Sequence, residues 1–100
     1  MSQPYFTVMI AGLAKPGMED YVKRTLKQIM QHSRRDKGCI VYNIHQSNEN
    51  PAEFMVYMQW KSQEAFEQHN QTAEMKDFRL KLANDMFTEQ SPKTYWHMLD

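Results

Sequence analysis

His69 is the side chain in this sequence best suited to proton transfer near neutral pH, since an unperturbed imidazole titrates near ~6.5. It stands between one helical segment and the Thr72 that begins the next. In neutral form it could accept a proton from an acidic phenol. A histidine at a helix break can equally hydrogen-bond the backbone and fix the break, and spacing alone does not choose. Trp60 ends an alternating apolar segment; its indole could stack on a flat aromatic molecule and present one donor to a carbonyl oxygen, or simply fill a core. By strand parity Val56 and Met58 share its face. Tyr42 and Tyr57 could donate to an oxygen substituent, or serve as amphipathic residues at a sheet edge. Asn43 and His45 share a strand face, as cavity groups or as solvated positions near a turn. Cys39 follows a glycine and has no local base to activate it, so a small buried thiol is the expected reading. Glu74 can favour the N-terminus of its helix or transfer a proton.

Other chemistries find no pattern. The histidines stand at positions 32, 45, 69 and 97, without HxH, HxxxH or HExxH spacing, and there is no cysteine pair. No glycine-rich loop suggests a nucleotide or flavin site. Twelve basic and twelve acidic residues leave no net charge, against a nucleic-acid partner or a polybasic membrane anchor. No apolar run approaches the ~18 residues of a membrane span, and no signal-peptide pattern opens the chain. A single cysteine excludes an internal disulfide, so a reducing cytoplasm is the expected compartment. With 41% hydrophobic and 12% aromatic residues the chain is too apolar for disorder, and 100 residues suit one domain spanning positions 1–100.

The elements that must position these residues follow from periodicity. Tyr5 to Leu13 reads as a strand apolar on both sides, with Phe6, Val8 and Ile10 opposite Tyr5, Met9 and Ala11. Lys15-Pro16-Gly17 breaks it. Met18, Tyr21, Val22, Thr25, Leu26 and Ile29 form one stripe of a helix from about Met18 to Asp36, with acids at its start, Arg34, Arg35 and Lys37 at its end, and Gly38 as a stop. Cys39–Gln46 and Glu53–Lys61 read as a hairpin across the polar turn 47–51. Ser62 can cap a short helix carrying Ala65, Phe66 and His69. Thr72 can cap another with Met75, Phe78, Leu82 and Met86 on one stripe, ended by Ser91-Pro92. Thr94 to Leu99 is the last strand. The order β-α-β-β-α-β predicts an α+β, ferredoxin-like antiparallel sheet with helices on one face.

That arrangement leaves a difficulty. Met55 and Tyr57 lie opposite Phe54, Val56, Met58 and Trp60, and Trp96 and Met98 lie opposite Tyr95 and Leu99, so both sheet faces are apolar. A soluble chain covers such a face with a second copy or encloses a ligand there. Nine methionines add to the apolar surface. Met18, Met75 and Met86 fall on helix stripes as core. Met9, Met55, Met58 and Met98 fall on strands, where soft side chains suit either core packing or a pocket for a planar ligand.

Several residues in order carry a family resemblance: Lys15-Pro16-Gly17, Lys37-Gly38-Cys39 with Tyr42, Trp60 with Ser62, Ala65 and Phe66, then His69, Thr72, Met75 and Lys76. From about Phe6 to Phe78 the chain resembles the antibiotic biosynthesis monooxygenase (ABM) superfamily, and within it the small quinol-monooxygenase-like proteins. The resemblance implies a homodimeric α/β barrel and cofactor-independent oxidation by O2 of an electron-rich phenol, hydroquinone or anthrone. It implies His69 and Trp60 as catalytic residues, and Val56, Met58, Tyr42 and Phe66 as substrate-binding residues. No cofactor, metal, nucleic acid or membrane is implied. Two positions depart from the family pattern: Met58 stands where a glutamate is common on the third strand, and Glu74 where a second histidine is common. The same fold also accommodates an isomerase acting on a small carbonyl compound, a haem-binding or haem-degrading relative with His69 as axial ligand, and a non-enzymatic ligand-binding dimer.

Overall fold

The computed structural model describes residues 5–81 and 86–99. Strand β1 (Phe6–Ala14) is followed by helix α1 (Glu19–Ser33), strands β2 (Cys39–Gln46) and β3 (Glu53–Trp60), helices α2 (Gln63–Asn70) and α3 (Ala73–Lys81), and strands β4 (Phe87–Gln90) and β5 (Thr94–His97). The sheet is antiparallel in the order β2-β3-β1-β4, with β5 also on β1. This is the expected ferredoxin-like arrangement, with the last edge strand in two pieces.

Turn chemistry sets the first boundaries. Lys15-Pro16-Gly17-Met18 closes with the Met18 amide donating to the Lys15 carbonyl at 2.9 Å, and Gly17 takes φ +83°. A type II turn requires the positive φ in third place and favours proline in second. Helix α1 then buries Val22, Thr25, Leu26, Ile29 and Ser33. It ends three residues before the expected Asp36, because the chain turns: the Asp36 amide donates to the Ser33 carbonyl and the Cys39 amide to the Asp36 carbonyl, at 3.0 and 3.1 Å. Arg34 fastens this end to β2, with Nε donating to the Tyr42 carbonyl and Nη2 to Asn43 Oδ1, at 3.0 and 2.9 Å.

Gly38 is required where it stands. Its φ is +87°, and a Cβ there would lie 2.6 Å from the Ala65 Cβ of α2. The missing side chain lets the α1–β2 turn abut the start of α2, and the Lys61 amide donates to the Gly38 carbonyl across the contact at 2.8 Å. That approach brings Asp36 to α2.

Strands β2 and β3 begin where expected, and β3 ends one residue earlier. Phe54, Val56, Met58 and Trp60 are all buried, so this face of β3 meets the helices. Val8 of β1 and Tyr42 of β2 are buried on the same side and join Val22, Leu26, Phe66, Met75 and Phe78 in the core.

The segment after α3 departs from expectation. The sequence pattern extends one helix to Ser91, whereas Phe87–Gln90 form β4, opposite Gly12–Ala14; the described part of α3 runs from Ala73 to Lys81. A four-residue edge strand is too short to show the alternation that marks strands. Met86, directly before β4, is helical and fully buried; Leu82 lies outside the described residues. Between β4 and β5 the Ser91 amide donates to the Ala11 carbonyl and its Oγ accepts from the Ala11 amide, both at 2.8 Å, which keeps the edge attached beside Pro92. Strand β5 is shorter than expected: Met98 and Leu99 lie beyond it and are exposed.

The second face of the sheet is not buried within one chain, as β1 alone suggests it should be. Met9, Ala11, Leu13, Met55 and Tyr57 are half-buried there, and Trp96 is 56% exposed.

Candidate functional site

A cavity of about 300 Å³ opens between the sheet and the helices. Its walls include Tyr42 from β2, Val56 and Met58 from β3, Phe66 and His69 from α2, and Met75 and Phe78 from α3. Asn70, Arg79, Gln90 and Lys93 add polar groups, of which Gln90 and Lys93 are exposed. Five of the six residues implied by resemblance thus line one cavity. Trp60 is not among the lining residues. It is wholly buried, with its ring centroid 4.5 Å from that of His69, and its Nε1 has no hydrogen-bond partner. The indole forms a packing surface for the imidazole.

His69 is 2% exposed and held by several elements. Helix α2 starts with Ser62 Oγ accepting from the Ala65 amide at 3.1 Å, so the expected cap is formed. At its far end the Thr72 hydroxyl donates to the His69 carbonyl at 2.8 Å and accepts from the Met75 amide at 3.4 Å. One threonine thereby joins α2 to α3 directly behind His69. Tyr42 and Phe66 complete the surround, at 5.8 and 6.4 Å between ring centroids.

His69 Nδ1 lies 2.7 Å from Asp36 Oδ2. A carboxylate can only accept, so in the neutral imidazole Nδ1 carries the proton and Nε2 the lone pair. Burial lowers the His69 pKa from the usual 6.5, opposed by the hydrogen bond and charge of Asp36. The imidazole is therefore neutral at pH 7 and ready to accept a proton. Nε2 is buried and has no hydrogen-bond partner. Such an atom forgoes hydration without compensation unless a ligand or water meets it.

Asp36 is the residue that sequence reasoning misses. It lies 33 positions from His69, and its one local signal is an acid among Arg34, Arg35 and Lys37 at a helix end that favours cations. His32 Nε2 lies 3.6 Å from both Asp36 Oδ1 and Glu74 Oε2. Glu74 is thus on the outer side of this cluster and does not line the cavity. Among the described residues, no group of three or more histidine, cysteine or acidic side chains is arranged to hold a metal ion.

The remaining candidates separate by face. Burial pushes the Tyr42 phenol up to about 12; the Ser33 hydroxyl beside it, buried and short of hydrogen-bonding geometry, offsets this only in part. Tyr42 can therefore act as a neutral donor. Tyr57 accepts from Gln59 Nε2 at 3.0 Å, away from the cavity; Asn43 and His45 are exposed. Cys39 is half-buried, and burial and the Asp36 charge raise its thiol pKa, against an activated nucleophile. Of the strand methionines only Met58 lines the cavity, joined by Met75 from α3. Met9 and Met55 lie on the opposite sheet face, and Met98 is exposed.

A ferredoxin-like antiparallel sheet with an apolar cavity under its helices places the chain among small α+β proteins. The family model described as antibiotic biosynthesis monooxygenase matches residues 5–81, and the chain belongs to that family. The fold is similar to that of the protein PA3566 from Pseudomonas aeruginosa, at 24% identity and TM-score 0.88, covering 100% of this chain and 99% of that one. It is similar to Rv0793 from Mycobacterium tuberculosis, at 17% identity and TM-score 0.85, covering 96% of each chain. A crystal structure of an antibiotic biosynthesis monooxygenase aligns at 15% identity and TM-score 0.85, over 95% of this chain and 99% of that one. No curated protein matches the sequence. Among the described residues, no helix is long and apolar enough to cross a membrane.

Proposed function

We propose that this chain is an oxygenase that oxidises an electron-rich phenol, hydroquinone or anthrone with O2, using the substrate's own electrons and no cofactor. The observation that carries the reading is His69: a buried neutral imidazole on the wall of an apolar cavity, oriented by Asp36, with Nε2 unpartnered. Nε2 takes a proton from the bound substrate, and the resulting anion gives electrons to O2. One oxygen atom enters the substrate and the other leaves as water with the two hydrogens lost; in an anthrone the ring CH2 becomes C=O, and in a phenol or hydroquinone a ring C–H becomes C=O as a hydroxyl hydrogen is lost. Tyr42, Val56, Met58 and Phe66 hold the flat substrate. Trp60 serves as a positioning residue for the imidazole.

Oxygen uptake by metal-free, flavin-free protein with anthrone or a hydroquinone tests the reading. The expected result is one O2 consumed per anthrone converted to anthraquinone. Equal turnover without oxygen would overturn it and favour an isomerase in the same cavity.

The second part of the reading is a homodimer packed through the outer sheet face. Its support is the half-buried row Met9, Leu13, Met55 and Tyr57 beside exposed Trp96. Sedimentation equilibrium should give twice the chain mass, and Trp96→Glu should lower it toward one chain; a monomeric parent would overturn this assignment.

A further inference from the structure

The cavity is apolar in its depth and cationic at one side. Arg79 and Lys93 both line it, from α3 and from the segment before β5. Arg79 Nη2 donates to the Asn70 carbonyl at 2.7 Å, while Nη1 is buried and has no partner. Among the described residues, neither Arg79 nor Lys93 has an acidic group within ion-pair distance. The Lys93 ammonium lies 5.7 Å above the Phe66 ring, a contact that leaves its hydrogen-bond donors free. Its pKa is lowered, first by loss of hydration and then by the Arg79 charge. Two cations thus repel each other beside an apolar chamber, with no anion between them among the described residues. A purely structural arginine stapling α3 to α2 through Asn70 would account for Nη2 alone. Nη1 and Lys93 supply further donors to the same side of the cavity.

We propose that the substrate is an aromatic acid, whose ring system fills the apolar part of the cavity and whose carboxylate is bound by Arg79 and Lys93. The inference rests on the cavity being the substrate site. A carboxylate accepts charge-assisted hydrogen bonds from both cations and removes their mutual repulsion. The same positive charge favours the anion formed when His69 takes a proton. A neutral hydroquinone would use only the apolar half of the site.

Binding of 2-naphthoate and its uncharged analogue 2-naphthamide, measured by isothermal titration calorimetry, tests the inference without any turnover. The wild-type protein should bind the acid about 10- to 100-fold more tightly than the amide. Arg79→Gln with Lys93→Gln should abolish that preference, weakening the acid far more than the amide. Lys93→Gln alone, at an exposed position, should reduce the preference in a folded protein should the double variant fail to fold. Equal binding of acid and amide by the wild type, or a preference that survives Lys93→Gln undiminished, overturns the inference and leaves the oxygenase reading standing. No binding of either compound overturns the inference together with the aromatic site on which it rests. Preferential acid binding without oxygen uptake on any aromatic acid supports the anion site and counts against the oxygenase reading alone.

Discussion

Replacing His69 with alanine should lower substrate-dependent oxygen uptake by about 10²- to 10⁴-fold, the usual contribution of a positioned general base. The wild-type pH profile should show the reason. Protonation of the imidazole stops it from accepting the substrate proton, so the rate falls on the acid side. Because burial lowers the pKa, that fall should occur below the usual 6.5, and activity should persist in mildly acidic solution. Asp36→Asn provides the second arm. The carboxylate holds the pKa up against desolvation, so its loss should move the acid limb to still lower pH while kcat falls. A merely structural Asp36 would leave the limb in place. Full activity in His69→Ala would end the assignment of this residue as base.

Truncating Trp60 to alanine should be the most damaging single change to stability. A large aromatic removed from a core costs about 3–5 kcal/mol, which in a domain of this size is about 12–40 °C in Tm. The side chain is wholly buried and packs against His69 and Phe66, so little can collapse into the space. Thermal unfolding followed by circular dichroism measures this. Trp60→Phe then separates packing from substrate contact. It retains one ring behind the imidazole and removes the rest of the indole, including an N–H that has no partner. KM should change less than about threefold, while kcat follows any displacement of His69. A large rise in KM with kcat unchanged would mean that the indole contacts the substrate, as the family resemblance implies.

The two outcomes for Trp60 show how far residue patterns carry. Alternation along Glu53–Trp60 places the indole on one face with Phe54, Val56 and Met58, and the fold turns that face to the helices. Alternation cannot say whether a side chain on that side borders empty volume or stands behind a neighbour. That depends on how α2 seats Phe66 and His69 over the strand, which is a property of the packed molecule.

Local chemistry settles most of the framework. Lys15-Pro16-Gly17 demands its turn, the stripe from Val22 to Ile29 demands a buried helix face, and the hairpin strands alternate clearly enough to locate both. Ser62 announces its cap because the hydroxyl and the amide that it binds are three residues apart. Strand β4 is silent for the opposite reason: four residues on a sheet edge owe their conformation to pairing with Gly12–Ala14, some 75 positions earlier.

The same division runs through the site. His69, Tyr42, Phe66, Val56 and Met58 are legible as candidates because residue type and strand or helix parity are local properties. Asp36 and the Arg79–Lys93 pair are not. Each depends on groups from separate elements meeting: Asp36 reaches α2 only because Gly38 lacks a side chain against Ala65, and Arg79 and Lys93 converge only when the last edge strand folds back beside α3. Short-range periodicity specifies which residues face inward. Long-range contacts decide which of them share a cavity, which is neutral, and where the unbalanced charge lies, because desolvation and Coulomb forces act through space rather than along the chain.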